Sequence, residues 1–366
     1  MRITVKDIAR PRIIFIPEFG QGEGGGNQRS SQLAADIAKV FGETKSLDIS
    51  YHKKKAEWLM AVALLPVVWY KLRTYNLTTL GWLRACSLYK ILRKDLAQKR
   101  EVLFLIEGFH SVFLILGILI RESREQYITF PQNIEFMVPG SHNKHFRTLE
   151  GRFRAEISLY RGAIRNVTIS EFDRAIIETF SANACTYPFY PIEERLRFLR
   201  KVKTARRGSP GREVLILGTT LNVPVRMAVE DFLRKVSGHK CGEFKINVAG
   251  LGTEKLCEYA SSEITIMGTI SAEKLAQVLA SAYCVLVPVL QTTGFMTRLV
   301  DMNLAGIPVV IFGNYLQARN LKDYGIYFAE RIEDLSDVLD KIEPPRREFA
   351  PPRFKDVLGE SWAADQ

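Results

Sequence analysis

Between Thr292 and Val310 the chain reads T-T-G-F-M-T-R-L-V-D-M-N-L-A-G-I-P-V-V. A loop of small residues follows the apolar run Cys284–Leu290, and a helical pattern then stops at Gly306 before Pro308-Val309-Val310 opens a strand. A strand, a glycine-containing turn and a helix N-terminus together make an anion site, because unpaired backbone N–H groups and the helix dipole meet the ligand. Arg298 and Asp301 are three positions apart and so share one helix face. A guanidinium there can clamp a phosphate, while a carboxylate can accept hydrogen bonds from sugar hydroxyls.

Other stretches carry related chemistry. Gly20–Arg29, G-Q-G-E-G-G-G-N-Q-R, lies between an apolar strand and a helical pattern, where glycines let backbone approach a phosphate or sugar. It lacks the G-K-[ST] ending of a P-loop and a clean G-x-G-x-x-G. Glu107-Gly108-Phe109-His110 ends another strand, and His110 there can hydrogen-bond a sugar or serve as acid or base, with Glu107 beside it. Pro131-Gln132-Asn133-Ile134-Glu135 follows the next strand end, where Asn133 and Glu135 can hold a hydroxyl or form an ordinary capped loop. Gly218-Thr219-Thr220, Gly250-Leu251-Gly252 and Gly268-Thr269-Ile270 end three further strands. His142 and His145, in S-H-N-K-H, read as an exposed basic loop.

The elements that must position these residues alternate. Strands are expected at Ile13–Pro17, Lys45–Ile49, Val102–Ile106, Tyr127–Phe130 and Asn166–Ser170, with helices at Gln28–Val40, Ser111–Arg121 and Glu171–Ser181. After a Pro-bearing, charged linker at Tyr187–Gly211, strands at Val214–Leu217, Phe244–Val248, Ile264–Met267, Cys284–Leu290, Val309–Phe312 and Gly325–Phe328 alternate with helices at Val225–Val236 and Ala272–Ala280. Such alternation implies βαβ units and parallel sheets. At 366 residues the chain suits two domains, 1–190 and 191–345, followed by a tail at 346–366.

Composition narrows the class. Hydrophobic residues make up 47% and charged residues 25%, which fits a folded globular chain. The net charge of +11 points to acidic partners: nucleotide phosphates or an anionic lipid surface, with nucleic acid disfavoured because no binding motif accompanies the charge. Five scattered cysteines without metal spacing suggest a reduced, cytoplasmic setting. The apolar runs Trp58–Trp69 and Val112–Ile120 are too short to span a bilayer, which needs roughly twenty residues. From His52 to Lys94, however, Lys53-Lys54-Lys55, Trp58, Trp69, Tyr70, Trp82, Tyr89 and Arg93 fit an interfacial helix on anionic lipid, or else the first domain's core.

The spacing from Asp301 through Ala305-Gly306 to Pro308-Val309-Val310 resembles the nucleotide-sugar loop of retaining glycosyltransferases of the GT-B architecture, family 4 in particular. Gly25-Gly26-Asn27-Gln28-Arg29 resembles their G-G-x-x-R element, and Pro131–Glu135 their H-N-x-E element with Gln132 in the place of His. The resemblance implies an α/β fold of two Rossmann-like domains facing across a cleft, with the C-terminal tail returning to the first. It implies transfer of a sugar from a UDP- or GDP-sugar to a glycan or lipid-linked acceptor, with retention and without a metal or other cofactor, on the cytoplasmic side and peripheral to the membrane. The donor would meet Gly25, Gly26, Arg29, Gly218, Thr219, Gly250, Ile270, Thr293, Gly294, Phe295, Arg298 and Asp301. The acceptor would meet Asn27, Asn133 and Glu135, and His110, Glu107 and Asp301 would serve catalysis.

The loop departs from that family's pattern at one place: an acid expected about two helical turns before Asp301 is Thr293. Gly294 and Arg298 instead match part of a G-x-G-x-x-x-K variant, with Arg for Lys, an exchange that a bidentate clamp tolerates. A sugar-nucleotide epimerase and a non-catalytic binding protein of the same fold remain alternatives at this stage.

Overall fold

The computed structural model describes residues 12–17, 25–42, 44–46, 63–97, 101–108, 112–137, 144–180, 182–206, 211–237, 243–290, 296–315 and 321–358. The chain divides into two compact units: Met1–Phe189 with Pro352–Gln366, and Tyr190–Thr292 with Met296–Pro351.

In the first unit, β1 (Arg12–Ile16), α1 (Gly25–Phe41) and β2 (Lys45–Ser46) are followed by α2 (Leu65–Leu72) and α3 (Thr79–Leu96). Next come β3 (Val102–Glu107), α4 (Val112–Glu122), β4 (Gln126–Phe130), α5 (Leu149–Gly162), β5 (Arg165–Thr168), α6 (Glu171–Thr179) and β6 (Ala184–Thr186). The strands form one sheet in the order β2-β1-β3-β4-β5-β6, every pair parallel. Side chains alternate across it: Ile14, Ile16, Phe104 and Ile106 enter one apolar cluster, and Ile13, Phe15, Leu103 and Leu105 enter the other. Burial on both faces is why these strands read as unbroken apolar runs. α4 is buried from Leu114 to Ile120, so the run tested as a membrane span is a core helix.

The second unit repeats the plan. It holds α7 (Glu193–Ala205), β7 (Glu213–Leu217), α8 (Val223–Val236), β8 (Lys245–Ala249), β9 (Ile264–Gly268), α9 (Ala272–Ser281) and β10 (Cys284–Pro288). α10 (Thr297–Leu304), β11 (Val309–Phe312), β12 (Ile326–Ala329) and α11 (Ile332–Leu339) complete it, and the all-parallel sheet runs β12-β11-β10-β7-β8-β9. The short α12 (Phe354–Leu358) belongs to the first unit, where Phe354 and Val357 pack with Ile13, Phe15 and Phe130.

Three elements correct the sequence reading. The stretch taken as linker contains the 13-residue helix α7, which buries Leu196, Leu199 and Val202 on one face. α5 occupies a region for which no helix was expected; Thr148 caps it by accepting from the Gly151 N–H. His145, taken as exposed, is 7% accessible, and its carbonyl accepts from Thr78 N–H at 2.9 Å. His142 lies outside the described residues. Among the described residues no helix is long and apolar enough to cross a membrane.

Candidate functional site

In the second unit the carboxyl ends of β7, β8 and β9 are tied together by backbone. Gly218 N–H donates to Ala249 C=O at 3.1 Å, Gly250 N–H to Gly268 C=O at 3.0 Å, and Thr220 N–H to Leu251 C=O at 3.0 Å. Gly250 has φ +134°, and a Cβ there would overlap the Gly218 carbonyl, so only glycine lets these turns touch. Thr219 accepts from Leu221 N–H at 3.2 Å, and Ile270 is half-buried just after β9. Gly218, Thr219, Gly250 and Ile270 thus come together at the end of the sheet where open α/β folds bind ligands. Thr220 Oγ1 is buried there with no hydrogen-bond partner.

α10 carries two more of the expected donor residues, Arg298 and Asp301. Its C-terminus is a Schellman cap: Ile307 N–H reaches back to Met302 C=O at 2.9 Å, and Gly306 has φ +70°. Pro308 then enters β11. The A-G-x-P portion of the motif is therefore explained by helix termination alone. Arg298 and Asp301 are not explained in that way. Arg298 is half-buried and one guanidinium nitrogen donates to the carbonyl of Leu217, the last residue of β7. Burial lowers its pKa, with Asp301 opposing.

Asp301 is buried, and Arg195 of α7 donates to its Oδ2 from both Nε, at 3.1 Å, and Nη2, at 2.9 Å. Its other oxygen, Oδ1, is buried without a partner. Burial raises the carboxyl pKa; Arg195 and, less strongly, Arg298 pull it back. An ionised carboxylate with one bare oxygen in this setting lacks a donor, and a ligand hydroxyl would supply one. Arg195 was not foreseen, because it falls in the stretch read as linker. The signal was present: Glu193-Glu194 at a helix start, then Leu196, Leu199 and Val202 at helical spacing.

In the first unit Gly25 and Gly26 form the opening turn of α1 instead of a loop before it, and Asn27 follows half-buried. Arg29 departs from expectation. It is 2% accessible and donates to Tyr187 C=O at 2.6 Å, Pro188 C=O at 3.1 Å and Gln32 Oε1 at 2.7 Å. Its guanidinium also lies 5.1 Å above the Tyr187 ring, and burial lowers its pKa to about 10. This arginine clamps α1 to the end of its own unit.

Glu107 is fully buried at the end of β3 and accepts from Gln132 Nε2 at 2.7 Å, so two separately noticed segments meet. Glu135, expected to bind an acceptor, is instead buried and paired with Arg152 at 3.3 Å; Asn133 Nδ2 reaches its Oε1 at 3.5 Å. Beneath them Glu156 accepts from the N–H groups of Glu135 at 2.8 Å and Phe136 at 3.0 Å, and from Tyr160 OH at 2.7 Å. Burial pushes the Glu156 carboxyl up to about 7. His110, Thr293, Gly294 and Phe295 lie outside the described residues. Among the described residues no three His, Cys, Asp or Glu side chains gather where they could hold a metal ion.

Neither a family model nor a curated sequence matches the chain. Solved structures do. Sucrose-phosphate synthase from Thermosynechococcus elongatus superposes with TM-score 0.58 at 14% identity, over 91% of this chain and 89% of its own. An α,α-trehalose 6-phosphate synthase from Burkholderia multivorans gives TM-score 0.58 at 12% identity, over 90% and 89%. HepE from Anabaena, solved in complex with UDP, gives TM-score 0.56 at 12% identity, over 90% and 89%. Two successive all-parallel Rossmann-like sheets, matched over nearly the whole chain, define the GT-B fold.

Proposed function

We propose that this chain is a glycosyltransferase that moves a sugar from a nucleoside-diphosphate sugar to a glycan or lipid-linked acceptor, with retention and without a metal. The observation that carries it is the α10 pair: the Arg298 guanidinium held at the carboxyl end of β7 and, three residues on, a buried Asp301 with one unpartnered oxygen. Cleaving a sugar from its donor leaves a diphosphate, whose growing charge must be stabilised. Arg298 supplies a charge-assisted donor for it. Asp301 Oδ1 accepts a hydroxyl of the ribose or the donor sugar. Gly218, Thr219, Gly250 and Ile270 frame the nucleotide. Asn27, Asn133 and the Glu107–Gln132 pair serve the acceptor side, with His110 as acid or base; Gly25 and Gly26 offer backbone there.

The fold supports this reading, and one of the similar structures holds UDP. The test is a thermal-shift screen of UDP- and GDP-sugars against the full chain, followed by nucleoside diphosphate release with and without candidate acceptors. A ligand that binds only the native state raises its melting temperature by mass action. No shift with any donor would sink the proposal, release unaffected by acceptors would reduce it to donor hydrolysis, and release abolished by EDTA would overturn its metal independence.

A further inference from the structure

The eight-residue helix α2 reads L-P-V-V-W-Y-K-L, and only Val68 and Leu72 are buried. Those two anchor the helix to the first unit's core. Much of its remaining surface is apolar and uncovered: Leu65 is 38% accessible, Val67 46%, Trp69 51% and Tyr70 70%. Leu80, at 43%, and Leu149, at 64%, are further large apolar side chains exposed on the same unit. The segment that carries Leu149 runs beside the end of α2, since Arg147 N–H donates to Asn76 C=O at 2.9 Å and Thr78 Oγ1 to Lys144 C=O at 2.8 Å.

Charge accompanies this surface with one sign. From Leu65 to Lys94 the sequence holds Lys71, Arg73, Arg84, Lys90, Arg93 and Lys94 and no acidic residue. The Arg73 guanidinium lies over the rings of Trp69, at 5.6 Å, and Tyr70, at 5.2 Å. Exposed Lys144 and Arg147 flank Leu149, and the nearby acid Glu150 is paired with Arg154 at 2.6 Å. A protein-binding patch has an aromatic- and Arg-enriched core, depleted in Lys, within a polar rim. Here exposed Trp, Tyr and Leu stand beside Lys and Arg side chains, and the nearby acid Glu122 is paired with Arg121. That is the composition of the boundary between headgroups and acyl chains, where aromatic rings settle and basic side chains reach anionic phosphates.

We propose that α2, with Leu80 and Leu149, is a docking surface for an anionic phospholipid bilayer, into whose interface Trp69 and Tyr70 insert while Arg73, Lys144 and Arg147 meet the headgroups. The inference rests on the surface of the first unit and stands or falls independently of sugar transfer.

Flotation of the full chain with vesicles tests it, using phosphatidylcholine alone and phosphatidylcholine mixed with phosphatidylglycerol. The wild type is expected to float with the mixed vesicles at low salt, less at high salt, and not with phosphatidylcholine alone. The charge reversal Arg73→Glu changes two charge units, at about fivefold each, so partitioning should drop about 25-fold. The variants Tyr70→Ser and W69S/Y70S should also lose partitioning while circular dichroism and melting temperature stay unchanged, because both side chains are exposed. Absence of flotation with anionic vesicles, or variants that float like the wild type, would overturn the proposal. So would a concentration-dependent dimer by sedimentation velocity that W69S/Y70S abolishes without any vesicle binding, which would assign the face to a second copy. Should W69S/Y70S misfold, Tyr70→Ser and Arg73→Glu decide the matter.

Discussion

Each unit has an arginine that sequence spacing marks for phosphate, and the two are used differently. Arg29 of the first unit is spent on two carbonyls and a glutamine, inside its own fold. Arg298 of the second unit sits at a strand end beside a carboxylate that retains a bare oxygen. The carboxylates differ in the same sense. Glu156 is surrounded by two N–H groups and a hydroxyl, whereas Asp301 is held on one oxygen only. A saturated buried network stabilises one conformation. An incomplete one carries a desolvation penalty that a ligand can relieve. Position in a motif does not separate the two cases; the tally of partners does.

The largest effect expected from attacking this contrast is at Arg195. Arg195→Ala leaves Asp301 buried without its counterion, a loss of about 3 kcal/mol or more in denaturant unfolding. The double variant Arg195→Ala with Asp301→Asn should regain much of it, since an amide needs no counterion. No recovery would mean that Arg195 acts through packing on Phe198, over whose ring it lies at 4.9 Å.

Next in size is Arg298→Ala. On the proposed reading it lowers turnover by about two to three orders of magnitude and weakens nucleotide binding, with unfolding nearly unchanged. Calorimetric titration with the nucleoside diphosphate and a turnover assay check this, and full activity in the variant would remove Arg298 from the site.

Arg29→Ala should show the reverse pattern. The buried Tyr187 carbonyl loses its donor while Pro188 C=O keeps Gln32 Nε2 at 3.2 Å, which costs about 1–3 kcal/mol of stability, and nucleotide affinity stays at the wild-type value. If Arg29→Ala and Arg298→Ala instead weakened the nucleotide equally, the contrast between the units would be gone.

The most gradual effect concerns pH. The Glu156 carboxyl is raised to about 7 in the folded chain, above its ordinary value near 4.5. Folding therefore favours the protonated form. Its contribution to stability is full below about pH 4.5 and is lost as pH rises through 7. The slope is at most about 1.4 kcal/mol per pH unit. Denaturation between pH 5 and 8 should show the wild type losing stability relative to Glu156→Gln as pH rises, and parallel curves would refute the assignment. Asp173, raised to about 6 by burial, leaves a gentler slope in both proteins.

Much of the architecture was legible in the chain. Unbroken apolar runs such as Ile13–Ile16 and Leu103–Ile106 can only be strands buried on both faces, and their alternation with helical spacing forces parallel sheets. The cap Ala305-Gly306 before Pro308 was equally plain, since only glycine adopts the left-handed turn cheaply and proline ends the helix. α5 and α7 hide their helical spacing for different reasons. Charged residues dominate α7, where only Leu196, Leu199 and Val202 are buried, whereas the buried face of α5 includes the charged Arg152 and Glu156, which interrupt its apolar pattern.

The sequence by itself determined the two α/β units, put glycines at the ends of strands and set Arg298 and Asp301 on one helix face, because local periodicity and turn chemistry act over a few residues. Only the tertiary structure decided which of those groups are consumed. Arg29 meets carbonyls more than 150 positions away, and Arg195 meets a carboxylate 106 positions away. Such pairings are fixed by where the sheets bring strand ends together, and no spacing within either segment encodes them.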